Sequence, residues 1–276
     1  MNKGHVLVFI FGIIFLYMLI KPLMEQDNYL TITSKKQPEE TTPSKIVIEQ
    51  PLHDVMLPKF ADIRDVKEKK KTFFNFLRPA IVKENSRISV LRAQIESINN
   101  KLMHEQVLSD EDKSLIAILA KQYKIKKAPT IQSKVTQLLS KVDIVPTALV
   151  LVQAANESAW GTSRFARIGL NFFGIWCFKE GCGMVPNGRD EGLKHEVAAF
   201  LSVEKAVKHY LHNINTNHAY HVFRTIRSQL HEQSQPLTAE ILVTGLLPYS
   251  ERGTDYVIEI SEMLRHNQRY LIQTSD

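Results

Sequence analysis

A single carboxylate, Glu157, stands among small residues in the stretch AANESAWGTSRFA of this 276-residue chain. The preceding residues TALVLVQAAN are typical of a buried α-helix, and Gly161 follows where a helix usually ends. A carboxylate there faces the negative end of the helix dipole, and apolar neighbours would desolvate it. Both effects favour the protonated form. A carboxyl group that keeps its proton near neutral pH is what general acid catalysis at a glycosidic oxygen requires.

The alternative interpretation of Glu157 is an exposed helix-end glutamate without a chemical role, which is the commoner case for one acid alone. The neighbourhood favours the general acid, because Ala154 and Ala155 remove bulk from around the carboxyl group and packing against Trp160 or Phe173 would desolvate it.

The elements that must position this group are mainly helical. Apolar residues recur at spacings of three and four from Ile88 to Leu102, which predicts one stripe on a helix. Arg78-Pro79 predicts the end or a kink of the preceding helix, and Ser109 with Asp112 predicts a capping box. Glycines and short apolar pieces from Asn171 to about Phe200 predict a small β-hairpin lobe. We therefore expect a mainly α fold of the α+β class.

The chain divides into four predicted parts. Residues 1–24 contain the uninterrupted apolar run Val6–Ile20, which predicts an uncleaved signal anchor in a membrane, because no small-residue cleavage site follows it. Residues 25–56 are polar and proline-containing, as in a linker. Residues 57–128 are predicted to be helical, and residues 129–276 to form the domain that carries Glu157.

The formal charge of +6 and the pI of about 9.1 suit an anionic partner. The run KEKKK at Lys67–Lys71 is more typical of a solvated helix face than of a nucleic-acid site, because no aromatic residue is interleaved with it. We expect no nucleic-acid partner and no cofactor.

Two residue sets could bind a metal, and for both we favour another interpretation. Cys177 and Cys182 predict a small-loop disulfide if the domain is exported, while two free thiols or half of a metal site are the alternatives. Paired histidines three residues apart could bind zinc, but they are more typical of a helix surface: His209, His212, His218 and His221. We expect no metal site.

The joint pattern resembles the glucosaminidase domains of glycoside hydrolase family 73. Those domains carry Gln-Ala-x-x-Glu-Ser-x-Trp-Gly, matched by Gln153–Gly161, and then Asn-x-Phe-Gly-Ile, matched by Asn171–Ile175. A later tyrosine-bearing segment is matched by Tyr249–Tyr256, although here it is one residue longer and lacks the family's proline. The match covers about residues 130–270.

The resemblance implies a lysozyme-like domain that hydrolyses the β-1,4 bond between N-acetylglucosamine and N-acetylmuramic acid in peptidoglycan. It implies that Glu157 is the general acid and that Tyr249 lies across the cleft. For a second carboxylate in the β-lobe we favour Glu196 over Glu191 and Asp190. Without one, the acetamido group of the substrate could act as the nucleophile.

Such a cleft also needs residues that contact sugars. The candidates for ring stacking are Phe173, Trp176, Tyr249 and Tyr256, whereas Trp160 and Phe172 are expected in the core. Asn171 could hydrogen-bond an acetamido group or cap a turn.

The function expected is that of a monomeric peptidoglycan hydrolase, anchored in the inner membrane with its domain in the periplasm. Its partners would be peptidoglycan glycan strands and the membrane. A muramidase or lytic transglycosylase, which cleaves the other glycosidic bond, is the nearest alternative. A non-catalytic wall-binding scaffold, with residues 57–128 binding a partner, is the alternative of another class.

Overall fold

The computed structural model describes residues 50–272, apart from 188, 190 and 191. The predicted signal anchor and most of the predicted linker lie outside the described residues, as do Asp190 and Glu191. Of the helices that are described, none combines the length and the hydropathy needed to cross a membrane.

Helices dominate the described part of the chain, as the sequence predicts. They are α1 (Val66–Met103), α2 (Asp110–Gln122), α3 (Ile131–Lys141), α4 (Thr147–Glu157), α5 (Arg164–Gly169), α6 (Val203–Thr216), α7 (His221–Glu232), α8 (Ala239–Leu242) and α9 (Thr254–Leu271). Two 3₁₀ segments, His218–Tyr220 and Val243–Tyr249, complete the helical part. The capping box predicted at the start of α2 is present, with Ser109 and Asp112 hydrogen-bonded to each other's backbone N–H groups.

The β-lobe is a three-stranded antiparallel sheet rather than the predicted hairpin. Its strands are β1 (Trp176–Cys177), β2 (Gly183–Met184) and β3 (Glu196–Ala198), in the order β1-β3-β2. Val197 lies opposite both Trp176 and Met184. Strand β3 lies between β1 and β2 in the sheet, so both of them pair with it.

Helix α1 continues through Pro79. The prediction that a helix ends at Arg78-Pro79 is therefore wrong. Proline in a helix interior costs about 3 kcal/mol or more. On both sides of Pro79, side chains of α1 are fully buried: Phe73, Phe74, Leu77 and Ile81. Each contributes about 1.5–3 kcal/mol by burial, which outweighs the proline. The region 57–128 therefore shares one hydrophobic core with the rest of the described chain.

Helix α4 lies at the centre of this core. Every residue from Leu149 to Ala155 is buried, which is the pattern of a helix enclosed on all sides. It packs against α1 and α9. Since Glu157 is its last residue, the carboxyl group stands where the most deeply buried helix reaches the surface.

A buried ion cluster ties the helices together below α4. Asp143 is 2% exposed, and its Oδ2 lies 3.2 Å from Arg92 Nη1, 3.3 Å from Arg227 Nε and 2.6 Å from His231 Nε2. Burial lowers the pKa of Arg227 to about 10, while the nearby Asp143 opposes that effect. The cluster joins α1 and α7 to the loop that enters α4.

Candidate active site

Glu157 is half-buried at the C-terminal end of α4. Burial raises the pKa of its carboxyl group, and hydrogen bonds from Tyr256 and Asn156 partly oppose that rise. The raised pKa agrees with the predicted environment of Glu157, and desolvation is the largest cause of the rise.

Two hydrogen bonds of Ser158 fix the turn that follows Glu157. The Ser158 hydroxyl donates to the carbonyl of Ala154 at 2.6 Å and accepts from the Gly161 N–H at 2.9 Å. Ala159, Trp160 and Gly161 all have positive φ, at 49°, 58° and 76°. Left-handed backbone at two non-glycine residues is strained, and such strain collects at functional sites.

The glycine in this turn is required by packing as well as by φ. A Cβ at Gly161 would lie 2.5 Å from Cδ2 of Phe60, below any real contact distance. The aromatic rings of Phe73 and Phe74 contact Trp160 from α1. Trp160 is thus packed against the core, as the sequence predicts.

A buried hydrogen-bond chain leads to Glu157 from the core. The Tyr210 hydroxyl donates to Gln153 Oε1, and Gln153 Nε2 donates to the Tyr256 hydroxyl at 2.9 Å. The Tyr256 hydroxyl is in turn hydrogen-bonded to Glu157. Because Tyr256 accepts from Gln153, its own proton is directed to Glu157.

Tyr249 stands beside this chain. Its ring stacks on Tyr256 with centroids 5.4 Å apart, and its hydroxyl donates to the carbonyl of Phe173 at 2.8 Å. The half-buried Tyr249 therefore links the 3₁₀ segment to the strand side of the site. Burial and the nearby Tyr256 raise the pKa of Tyr249, so its hydroxyl keeps its proton.

Gly174 forms the opposite side of Glu157. It is exposed and has a φ of 62°. A Cβ at this position would lie 3.3 Å from Glu157 Oε2, so only a residue without a side chain leaves that oxygen open. The exposed backbone at Gly174 therefore borders the carboxyl group of Glu157.

The side chains of two predicted sugar contacts, Phe173 and Asn171, are buried. The turn-capping role given as the alternative for Asn171 is observed, because its Oδ1 accepts from the N–H groups of Phe173 and Ile175. The ring of Phe173 is 1% exposed and stacks on Tyr210 at 4.2 Å. Asn171 is 2% exposed, and its amide donates to the carbonyls of Ile175 and Ala198, both at 2.8 Å. Phe173 anchors the turn before β1 in the core, and Asn171 supplies hydrogen bonds to that turn. Both residues therefore shape the site through its backbone.

The other two aromatic candidates differ in exposure. Tyr256 is 1% exposed and meets Glu157 through its hydroxyl, so its ring is not open to stack on a sugar. Trp176 is 48% exposed, and one edge of its ring packs against His195 at 5.0 Å. Trp176 is thus available for the predicted stacking.

Glu196 is buried in β3 with its carboxylate turned to the disulfide loop. Its Oε1 accepts from the Gly181 N–H at 2.9 Å and its Oε2 from the Gly183 N–H at 2.8 Å. These bonds hold the pKa of Glu196 below its usual range. Both oxygens are engaged within the protein, and the role of Glu196 as the second catalytic carboxylate stays a prediction.

Cys177 and Cys182 form the predicted disulfide, with Cα atoms 6.2 Å apart. Within the described residues, no three of the four histidines considered as zinc ligands come together, although the rings of His218 and His221 stack with centroids 5.3 Å apart. His212 instead packs edge-on against Tyr123, and His209 against Phe200.

Sequence reasoning missed an ion pair at the site. Arg252 Nη1 and Glu259 Oε2 lie 2.6 Å apart. The charge of Glu259 raises the pKa of Glu157 and that of Arg252 lowers it. Glu259 follows Tyr256 by three positions on α9, a spacing that places both on one helix face. That three-residue spacing is the signal in the sequence that places Glu259 near Tyr256.

A half-buried carboxyl group at the end of a buried helix, beside a small sheet in a mainly helical domain, is consistent with a lysozyme-like domain. Comparison with known proteins agrees. Residues 132–269 match the glucosaminidase family, described as mannosyl-glycoprotein endo-beta-N-acetylglucosaminidase. The chain is 34% identical over 204 residues to the Bax protein of Escherichia coli (strain K12), covering 74% of this chain and 71% of that protein.

The chain therefore belongs to the glucosaminidase family, as the resemblance predicted. Membership supports a glycosidase-type function on peptidoglycan. No solved structure matches the chain.

Proposed function

We propose that this protein hydrolyses the β-1,4 bond between N-acetylglucosamine and N-acetylmuramic acid in peptidoglycan, with Glu157 as the general acid. The proposal rests on the position of the half-buried Glu157. Burial raises the pKa of its carboxyl group, and its Oε2 borders the exposed backbone at Gly174. A carboxyl group in this setting protonates the leaving oxygen as positive charge develops on the sugar.

Family membership supports this reaction class. Two tyrosines, Tyr256 and Tyr249, support the role of Glu157 as the acid. Tyr256 donates a hydrogen bond that also stabilises the carboxylate left after proton transfer. Tyr249, whose proton is retained, faces the same site from the 3₁₀ segment.

For the attacking group we favour the acetamido oxygen of the substrate over Glu196. Both oxygens of Glu196 already accept backbone hydrogen bonds. Substrate assistance is an accepted alternative to a second carboxylate. On this route Glu196→Gln keeps most of the activity, provided that the loop stays folded. A loss as large as that of Glu157→Gln would return Glu196 to the catalytic role.

The test of the reaction is digestion of purified peptidoglycan by wild type and Glu157→Gln, with the products identified by mass. New reducing N-acetylglucosamine ends from the wild type alone are expected. Glu240→Gln, an exposed glutamate on α8, is the matched control and should remain active. New reducing ends on N-acetylmuramic acid would indicate a muramidase, and anhydro ends on that sugar would indicate a lytic transglycosylase. No product from any variant would favour the wall-binding scaffold.

We further propose that the protein works in the cell envelope, anchored by residues 1–24. The apolar run Val6–Ile20 and the disulfide Cys177–Cys182 support this placement. Protease added to spheroplasts should degrade the domain, and deletion of residues 1–24 should release it from the membrane fraction.

A further inference from the structure

The segment that leaves the Glu157 site alternates between buried and exposed side chains. Phe173 and Ile175 are buried, whereas Gly174, Trp176 and Phe178 are exposed. Strand β1 pairs with β3 at Trp176 and Cys177. The two-residue period of an extended chain therefore puts Trp176 and Phe178 on one face, whereas Gly174, with a φ of 62°, lies outside the strand. This face begins two residues after Gly174, whose backbone borders Glu157 Oε2.

Phe178 is the unexplained residue on this face. It is 82% exposed, and Trp176 is 48% exposed two positions before it. Four residues of extended chain span roughly 13 Å, so Phe178 lies at most about that far from Gly174. Two residues with exposed aromatic rings thus follow closely along the chain from the backbone that borders the general acid.

The loop that carries Phe178 is fixed at three points. The disulfide Cys177–Cys182 closes it, and Glu196 binds the N–H groups of Gly181 and Gly183 from β3. A surface loop of exposed residues has no core to order it, so these links maintain its shape. Rigid presentation of exposed aromatic rings lowers the entropic cost of binding.

We infer that Trp176 and Phe178 form a second sugar-binding site, which holds the glycan strand beyond the bond that is cut. The inference rests on the proposed function. A glycan is favoured as the occupant because both rings lie within four residues of Gly174, which borders Glu157 Oε2, and because the apolar face of a sugar stacks on an aromatic ring. A lipid surface would use the same exposed apolar area without needing that position near Gly174.

Binding to isolated, peptide-free glycan strands tests this inference apart from catalysis. The full-length chain with Glu157→Gln is titrated with long strands and with tetrasaccharides. Phe178→Ala and Trp176→Ala should each weaken binding to long strands about tenfold. Binding to tetrasaccharides should be unchanged in Phe178→Ala.

Three controls make the test specific. Phe178→Tyr keeps the ring and should keep binding, whereas Phe178→Leu keeps only the apolar character and should lose it. Ile118→Ala, at a 64% exposed apolar residue of α2, should bind like the parent. Melting curves should match throughout, because these side chains are exposed.

Loss of anionic vesicle binding in Phe178→Ala, with unchanged glycan binding, would overturn the inference in favour of a membrane contact. Equal glycan binding by Phe178→Ala and its parent would also overturn it. Neither result depends on hydrolysis, so failure of the proposed function would show separately, as absent products from the chain with Glu157 intact.

Discussion

Tyr256 and Glu157 are hydrogen-bonded between helices α9 and α4. Gln153, one turn before Glu157, donates to the same tyrosine hydroxyl and so fixes the direction of its proton. Burial raises the pKa of Glu157, and Tyr256 lowers it. The pair therefore sets the pH range in which the proposed acid keeps its proton.

Removing the Tyr256 hydroxyl should shift the pH dependence of hydrolysis. In Tyr256→Phe the carboxylate loses a donor, so the pKa of Glu157 rises and the alkaline limb of kcat/KM moves to higher pH. We also expect about a tenfold lower kcat, because the carboxylate formed on proton transfer is less stabilised. A pH–rate profile measures both. Tyr270→Phe is the control, and an alkaline limb that moves to lower pH would contradict the assignment.

The Arg252–Glu259 pair should shift the same limb in two opposite directions. Glu259 raises the pKa of Glu157, so Glu259→Gln should move the alkaline limb to lower pH. Arg252 lowers that pKa, so Arg252→Gln should move the limb to higher pH. The double variant should lie near the wild type, and salt should shrink both shifts because the pair is partly exposed. Shifts in the same direction would show that the residues act by some other means.

The environment of Glu157 was predictable because it depends on local sequence. The helix end, the small neighbours and the glycine are all within a few positions of it, and helix periodicity shows which elements are helices. The resemblance to a known family added the reaction. The local signals have a short range along the chain, whereas the resemblance combines segments from about residue 130 to residue 270.

The contacts that were missed join residues far apart in sequence. Phe173 was expected in the cleft because its type suits a sugar, but Tyr210 covers its ring from α6. Asn171 was left between two roles, and its partner Ala198 in β3 decides for the structural one. Pro79 was expected to end or kink a helix, but core burial carries the helix through it. No local pattern shows these partners.

The buried Asp143 cluster should be important for stability. Asp143→Asn leaves Arg227, which is completely buried, without its charged partner. Breaking a buried pair from one side costs about 3–5 kcal/mol in the free energy of unfolding. Urea denaturation measures it. Asp110→Asn, at an ion-pair side chain that is 94% exposed, should change stability by less than about 1 kcal/mol. Similar losses in both variants would show that the cluster is not specially stabilising.

The turn after Glu157 provides a test with a matched glycine. Gly161 and Gly181 both have a φ of 76°, but a Cβ at Gly161 would strike Phe60 whereas one at Gly181 would meet nothing within 4 Å. Alanine at Gly181 should therefore cost only backbone strain, about 1 kcal/mol. Alanine at Gly161 adds overpacking, for a total of about 2–4 kcal/mol. Thermal unfolding compares the two, and equal losses would show that Phe60 does not confine the turn. Since that turn directly follows Glu157, only Gly161→Ala should also lower hydrolysis measured well below the unfolding temperature.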